Sequence, residues 1–189
     1  MSLDQALHYG LFKELARYQV DSRPPVNEWH PDRVIDIDMV IDRDGNWFFE
    51  GTKIVRPRLV RLFSSILRRS GDEYQLVTPV EACRITVTEA PFIVVLAEIE
   101  PAIEDGSERR IVMTTNVGDV CVLGPNHGLR VGTSGETEGM LYLHVRDHLE
   151  AKLNRSSYYS VLDLVETHPE SGALGVRSDG RFFEVAAGG

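Results

Sequence analysis

The sequence has little cysteine, no long apolar run and no targeting signal, and each shortage excludes a class of protein. Its two cysteines, Cys83 and Cys121, lack the close spacing of a metal site, which favours a reducing compartment. No stretch approaches the roughly 18 apolar residues that a membrane helix needs. The first residues do not show the basic and then apolar segments of a secretion signal. We therefore expect a cytoplasmic protein that does not enter a membrane.

Basic charge is also scarce. The chain has 20 lysines and arginines against 29 aspartates and glutamates, which gives a net charge of −9. Proteins bind nucleic acids and anionic membranes through basic surfaces, because counterion release drives the association. The charge balance therefore argues against both partners. Phosphate-binding loops are missing too, since neither G-x-x-x-x-G-K-[ST] nor G-x-G-x-x-G occurs, and we predict no cofactor.

What the chain does carry is a clear order of elements in its first half. A strand at 35–41 alternates apolar and mostly acidic residues, and the turn at 44–46 leads to a second strand at 47–50. A helix is predicted from Arg56-Pro57 to Ser70-Gly71, because apolar residues recur at helical spacing. A third strand follows at 74–78. This order predicts a unit of hairpin, helix and strand.

The second half shows a similar order. A strand at 140–146 precedes a helix predicted from Ser156, its N-cap, to Thr167, and a hairpin follows. The segments before the two helices, 52–56 and 151–155, each end in an arginine. Further strands are predicted at 84–88, 92–97 and 110–115.

Near the start of the chain, leucine recurs at every fourth position between residues 2 and 20, which predicts an amphipathic helix. This helix either caps the core or forms a surface for a partner. The fold that we predict is α+β, with two similar halves, each a β-hairpin–helix–strand unit with additional antiparallel strands, plus this N-terminal helix. The expected divisions are 1–25 for the helix and linker, 26–100 for the first half and 101–189 for the second.

The predicted first helix begins with positive charge, which its dipole disfavours. Arg56 and Arg58 lie in the first turn and Arg61 follows. One interpretation is an anion pocket, in which free backbone N–H groups and guanidinium groups bind a carboxylate or phosphate. The other is structural, with Asp36 and Asp38 of the neighbouring strand paired to these arginines.

A second candidate site surrounds a glycine-rich segment, residues 124–139. A long loop of this composition is usually functional or mobile. His127, with Asp119 and Asn116, could bind a divalent metal or act as a general base. The residues that we predict to bind ligand around this loop are Asn116, Asp119, His127, Arg130 and Arg146.

Three weaker patterns have structural explanations that we favour. Asp36 and Asp38 share a strand face and could form an acid and base pair, but solvated or arginine-paired carboxylates are commoner. His144 and His148 have metal-pair spacing only on a helix, and His144 falls in a predicted strand. Cys121 lies between two valines, where a thiol is usually part of a core.

Short motifs in a fixed order extend along nearly the whole chain. They include D-I-D-M at 36–39, D-G-N-W-F at 44–48, L-V-T-P-V-E at 76–81 and G-P-N-H-G-L-R at 124–130. Together they resemble the DUF1285 family of bacterial proteins. The resemblance implies a two-part α+β fold built from repeated motifs, and it points to signalling or ligand sensing without implying a reaction.

We interpret the sequence as that of a regulatory or small-ligand-binding protein, with signal transduction as one setting. Its partner would be a small anionic molecule or an acidic segment of another protein, and a homodimer is compatible with the sequence. The alternative is a hydrolase or lyase that uses Asp119 and His127, with or without a metal. Because no complete set of nucleophile, base and orienting group is found, we favour binding and name no catalytic residue or metal ligand.

Overall fold

Strand pairing dominates the described part of the chain. The computed structural model describes residues 24–101, 109–133 and 135–186. Within these residues, fifteen strands form two six-stranded sheets and one three-stranded sheet, accompanied by two α-helices. The predicted α+β fold of hairpin–helix–strand units is therefore wrong, because β-sheet is the main component of both halves. The predicted N-terminal helix, residues 2–20, lies outside the described residues.

The chain divides into two compact units between Glu89 and Ala90, before the predicted boundary at residue 100. The first unit contains one six-stranded sheet, and the second contains the other six-stranded sheet and the three-stranded one. Within the described residues, no helix has both the length and the apolar character to span a membrane.

The first unit contains two three-stranded segments joined by a helix. Its elements are β1 (Val34–Ile41), β2 (Trp47–Phe49), β3 (Thr52–Lys53), α1 (Pro57–Ser65), β4 (Leu67–Ser70), β5 (Glu73–Val77) and β6 (Ala82–Val87). The strand order is β3-β2-β1-β6-β5-β4, and β1 and β6 are parallel neighbours at the centre. The other neighbouring pairs in this sheet are antiparallel.

Apolar side chains of β1, β2 and α1 form one part of the core of the first unit, and β4, β5 and β6 also contribute buried side chains. Met39 and Ile41 are buried at alternate positions of β1, as the sequence alternation predicts. Trp47 on β2 is 1% exposed and stacks on Phe63 of α1, with 6.1 Å between the ring centroids. Phe63 therefore attaches the helix to the sheet, while the first turn of α1 is exposed.

The second unit repeats the strand order of the first. Its elements are β7 (Phe92–Glu100), β8 (Arg110–Thr115), β9 (Val120–Val122), β10 (Leu129–Val131), β11 (Leu141–Arg146), β12 (Leu149–Leu153), α2 (Arg155–Leu162), β13 (Glu166–Thr167), β14 (Leu174–Ser178) and β15 (Arg181–Glu184). The order β9-β8-β7-β12-β11-β10 corresponds to β3-β2-β1-β6-β5-β4, again with a parallel pair at the centre. Strands β13 to β15 form the separate three-stranded sheet.

The observed repeat differs from the one predicted. Helix α1 follows the third strand of its sheet, whereas α2 follows the sixth strand of its own. Arg56 and Arg155 therefore do not occupy corresponding places, and residues 35–79 and 140–185 do not match as units. The correspondence lies between β1–β6 and β7–β12, because each group pairs its first strand with its last.

Both predicted helices are too long at their carboxyl ends. The first ends at Ser65, and Leu67–Ser70 pairs with β5 around Gly71, which has a φ of 61°. Arg68 also donates to the carbonyl oxygens of Val26 and Trp29, at 3.2 and 2.7 Å, which fixes this strand in place.

The second helix begins two residues earlier than predicted and ends sooner. Its N-cap is Asn154 rather than Ser156, since the Asn154 side chain accepts a hydrogen bond from the backbone N–H of Ser157 at 2.8 Å. The helix ends at Leu162, and Glu166–Thr167 pairs with β14 as a short strand.

Candidate functional site

The start of α1 presents three arginines to solvent. Arg56 is the N-cap and makes no side-chain capping hydrogen bond, and Pro57 occupies the first helical position. Arg58 and Arg61 are exposed and three residues apart, so they lie on neighbouring positions of one helix face. The first turn of a helix leaves backbone N–H groups without partners inside the helix. Here the Leu59 and Val60 N–H groups donate to the Arg56 carbonyl oxygen at 3.0 and 3.2 Å. Because proline has no N–H, the Arg58 N–H is the first-turn group that lies beside the guanidinium groups without a backbone partner among the described residues.

The acidic residues of β1 do not neutralise these arginines. Asp36 instead forms an ion pair with Arg84 of β6, at 3.3 Å, and the same guanidinium binds Glu73 at 3.0 Å. The hydrogen bonds that the Arg84 guanidinium donates to the carboxylates of Asp36 and Glu73 raise the pKa of the Arg84 side chain. Across the described ranges, no ion pair involves Arg56, Arg58 or Arg61, which sets aside the structural explanation based on Asp36. The described part of the chain therefore leaves this positive end of α1 open.

In the second unit, a bulge turns Arg146 towards the core. On β11, His144 pairs with Glu150 of β12, but Arg146 pairs with Leu149, so the register shifts by one residue between them. Residues directly opposite each other share a sheet face, and Leu149 is fully buried. Arg146 therefore shares the face of Leu149, whereas simple alternation would place it beside His144.

Asp119 is the partner of the redirected arginine. The Arg146 guanidinium and the Asp119 carboxylate are 2.5 Å apart, and each side chain is only 13% exposed. The guanidinium also lies 4.9 Å from the centroid of the Phe92 ring. Arg146 and Asp119 thus form a largely buried ion pair, and the structure brings these two predicted site residues into contact.

Asn116 connects neighbouring strands rather than facing an open site. Its backbone N–H donates to the Ile93 carbonyl at 2.8 Å, and its side-chain oxygen accepts from the Ile93 N–H at 3.1 Å. These two bonds attach the turn after β8 to the start of β7. They give Asn116 a structural role that a loop assignment from sequence did not predict.

Arg130 of β10 is paired with a carboxylate as well. Its guanidinium binds both carboxylate oxygens of Glu150, at 2.8 and 2.7 Å, and lies 4.2 Å from the centroid of the Tyr142 ring. Glu150 was not predicted from the sequence, because it lies on β12, two strands away from Arg130 on β10, and the sheet order brings the two side chains together. Since Arg130 and Arg146 both bind carboxylates of this chain, neither guanidinium is as open to an external anion as those of α1.

The glycine-rich segment is partly regular structure. Leu129–Val131 forms β10, and Gly135–Thr137 forms a turn of 3-10 helix. A Cβ added at Gly132 would lie 1.9 Å from the carbonyl oxygen of Thr137, so the backbone approaches too closely there for any side chain. Glycine at this position is required by packing.

His127 is bonded to the strand beside it. Its Nδ1 lies 3.1 Å from the backbone carbonyl oxygen of His144, and the two imidazole rings are 6.5 Å apart at their centroids. Within the described residues, no group of three histidine, cysteine, aspartate or glutamate side chains is arranged to hold a metal ion. Both cysteines are buried and neither forms a disulfide, and burial raises the pKa of the Cys83 thiol to about 11, which disfavours a reactive thiolate.

Comparison with known proteins places the chain among structures of the same architecture. A family model described as "Domain of unknown function (DUF1285), N-terminal domain" matches residues 24–90, and one described as "Protein of unknown function (DUF1285), C-terminal domain" matches residues 91–185. The crystal structure of a DUF1285 family protein from Silicibacter pomeroyi DSS-3 is 40% identical, covers 94% of each chain and superposes with a TM-score of 0.79. Another DUF1285 family protein, from Shewanella baltica OS155, is 28% identical, covers 66% of this chain and 90% of its own, and has a TM-score of 0.52. No curated protein matches the chain.

Proposed function

The chain belongs to the DUF1285 family, and we propose that it is a regulatory protein that binds an anion at the start of α1. The site consists of the backbone N–H of Arg58 and the guanidinium groups of Arg56, Arg58 and Arg61. The observation that carries the proposal is that these three arginines are exposed and form no ion pair within the described residues.

An anion compensates for the positive charge at the start of α1. Cations at a helix N-terminus cost about 0.3–1 kcal/mol each, because the helix dipole is already positive there. An anion reverses this cost, since it accepts hydrogen bonds from the Arg58 N–H and from the guanidinium groups together. A chain with a net charge of −9 that concentrates arginine at this place is arranged for local anion binding rather than for a general basic surface.

The ligand class is a phosphate or carboxylate group, carried by a small molecule or by an acidic segment of a partner protein. Val55, directly before the arginines, is 78% exposed and offers an apolar contact beside the charged groups. Reversible binding at such a surface suits a role in signal transduction, and two cysteines that form no disulfide suit the reducing cytoplasm that we expect.

The alternative of a hydrolase or lyase receives less support. Asp119 is engaged by Arg146, and the Nδ1 of His127 faces a backbone carbonyl oxygen. Each of the two residues proposed for catalysis thus has a structural partner, and we make no proposal of enzymatic activity.

Thermal unfolding in the presence of phosphate or sulfate tests the proposal. An anion that binds only the folded state stabilises it, by about 2.7 kcal/mol when present at about 100 times its Kd. We expect both anions to raise the Tm of the native protein above its value in sodium chloride of equal ionic strength. The variant R58A should lose most of this rise, while its Tm in chloride stays near the native value, because Arg58 has no ion-pair partner among the described residues.

A matched control separates local binding from general charge effects. Arg181 is exposed on β15, so R181A changes the net charge by the same amount without touching α1. R181A should keep the full response to phosphate. An equal response in R58A, R181A and the native protein would contradict the proposed site, and a large loss of basal stability in R58A would make Arg58 a structural residue.

A further inference from the structure

The imidazole ring of His144 lies between two backbone carbonyl oxygens. Its Nδ1 is 3.2 Å from the oxygen of Asn126, and its Nε2 is 2.6 Å from the oxygen of Asp147. Carbonyl oxygens only accept hydrogen bonds, whereas a neutral imidazole carries a proton on one nitrogen alone. The protonated ring is therefore the form that donates to both oxygens, and the neutral ring leaves one nitrogen lone pair facing a carbonyl oxygen.

We propose that His144 is a proton-controlled clip that fastens the segment Gly124–Gly128 to β11 when its ring is protonated and releases one attachment when the ring is neutral. The proposal is independent of anion binding at α1. It assigns a regulatory device to the second unit, where the glycine-rich region begins.

The bond that breaks on deprotonation is the one to Asn126. Asp147 lies in the tight turn between β11 and β12 with a φ of 48°, so the paired strands hold its carbonyl oxygen beside the ring. Asn126 and the preceding Pro125 are exposed in a loop segment. The shorter bond to Asp147 is thus kept by the neutral ring, and the longer bond to the exposed segment is lost.

Two further bonds would still join the segment to the strand. The His144 backbone N–H donates to the Gly128 carbonyl oxygen at 2.9 Å, and the His127 Nδ1 lies 3.1 Å from the His144 carbonyl oxygen. Deprotonation therefore loosens the middle of the segment, around Asn126, without detaching its end. The protonation state of His144 therefore changes how readily this segment opens locally, and it leaves the fold unchanged.

The charged groups around the ring come from four elements. Glu150 on β12 is the cross-strand partner of His144 and attracts an imidazolium, while Arg130 on β10 binds Glu150 and offsets that attraction. His127, whose ring is 6.5 Å away on the loop, repels it when protonated. Asp147 and His148 lie in the turn between β11 and β12, and Lys152 lies two residues after Glu150 on β12.

Nitrogen-15 NMR of the histidine rings tests the clip directly. Because histidine changes charge within roughly pH 5–8, spectra of the intact protein recorded at both ends of that range compare the two states. At the acidic end, both His144 nitrogens should show the shifts of protonated nitrogens. At the alkaline end, Nε2 should stay protonated and Nδ1 should not. A bare nitrogen at both ends, or protonation at Nδ1 alone at the alkaline end, would overturn the proposal.

Amide hydrogen exchange measures the release. After correction for the intrinsic effect of pH, protection of the hydrogen-bonded backbone amides of Gly124 and His127 should be roughly three- to tenfold lower at the alkaline end, the factor that losing one hydrogen bond produces. The variant H144Q, which lacks a titrating ring, should show no such change, while H148Q, a change at the neighbouring exposed histidine, should keep it. Equal pH dependence in H144Q and the native protein would contradict the clip. If H144Q does not fold, the ring spectra of the native protein decide the question.

Discussion

At the scale of single residues, the arginines predicted to bind ligand differ between the two units in whether they form ion pairs. In the second unit the predicted arginines are bound to carboxylates, Arg146 to Asp119 and Arg130 to Glu150. In the first unit, Arg58 and its neighbours on α1 form no ion pair within the described residues. The composition of the sequence gives no hint of this difference, because pairing depends on which residues the strands bring opposite each other.

The ion pair of Asp119 and Arg146 predicts a strong effect of removing one partner. In R146A, a carboxylate that is 13% exposed would lose its guanidinium, and unfolding free energy should fall by about 3 kcal/mol, the range seen when a buried pair is broken. Urea denaturation of the native and variant proteins measures the difference.

Removing both charges should cost less than removing one. The double variant D119N/R146M leaves no unpaired charge, so its stability should recover part of the loss seen in R146A. A loss in R146A of less than about 1 kcal/mol, the level of an exposed pair, would show that Asp119 reaches solvent freely.

The hydrogen bonds accepted by the Asp42 carboxylate predict that the folded protein loses stability in acid. Its carboxylate accepts hydrogen bonds from the backbone N–H groups of Asp44 and Asn46, at 2.9 and 2.8 Å, and from the Asn46 side chain, which fixes the turn after β1. Partial burial acts to raise the pKa of Asp42, but these hydrogen bonds and the charge of Lys53 outweigh it and lower the pKa below its ordinary value of 3.8.

The sign of the pH effect follows from that lowered pKa. The stabilisation is complete above the carboxyl's unfolded pKa and is lost as the pH falls through the lower folded value. We expect D42A to be less stable than the native protein by about 1–2 kcal/mol at neutral pH, with the difference shrinking in acid. Chemical unfolding across a pH series checks this, and a difference that does not change with pH would assign the effect to the backbone instead.

At the scale of elements, local sequence patterns were sufficient to predict a strand that is followed directly by a hairpin turn. The alternation of β1 and the turn at 44–46 were predicted correctly, since both signals are contained in a few consecutive residues. The end of α1 was not, because Leu67–Ser70 becomes a strand by pairing with β5 and through the bonds of Arg68 to distant carbonyl oxygens. The bulge that redirects Arg146 is likewise visible only in the register of two strands.

Alanine substitutions at two glycines of the glycine-rich segment should have contrasting effects on stability. In G132A the new Cβ would lie 1.9 Å from the carbonyl oxygen of Thr137, so backbone must move, and we expect a cost of about 1–3 kcal/mol. In G128A nothing lies within 4 Å and φ is not positive, so the change should stay within about 0.5 kcal/mol. Differential scanning calorimetry compares the two variants, and equal Tm values would contradict the close approach at Gly132.

At the scale of the whole molecule, the chain repeats one arrangement of six strands in two compact units. Sequence matching suggested a repeat but aligned the wrong segments, because it was guided by the helices, which occupy different places in the two units. Strand order is set by pairing between residues far apart in the chain, and short sequence matches do not encode it. The family could be identified from short sequence motifs alone, whereas the pairing of strands in the sheets could not be predicted from them.

The candidate site could be predicted only in part for the same reason. The conflict between Arg58 and the helix dipole is a local signal, and the sequence displays it. Whether Asp36 would cancel that charge depends on the parallel pairing of β1 with β6, which brings Asp36 to Arg84 instead. The remaining positive charge is the basis of the proposed function.

A two-dimensional NMR titration of the native protein with inorganic phosphate shows whether α1 binds an anion and which groups take part. If the start of α1 binds the anion, the backbone amides of Arg58, Leu59 and Val60 should shift in a saturable way, together with the side-chain Nε–H groups of Arg56 and Arg58. The amides of Arg130 and Arg146 should stay near their original positions, since both guanidinium groups already bind carboxylates. Saturable shifts confined to the second unit, or no saturable shift at α1, would contradict the account.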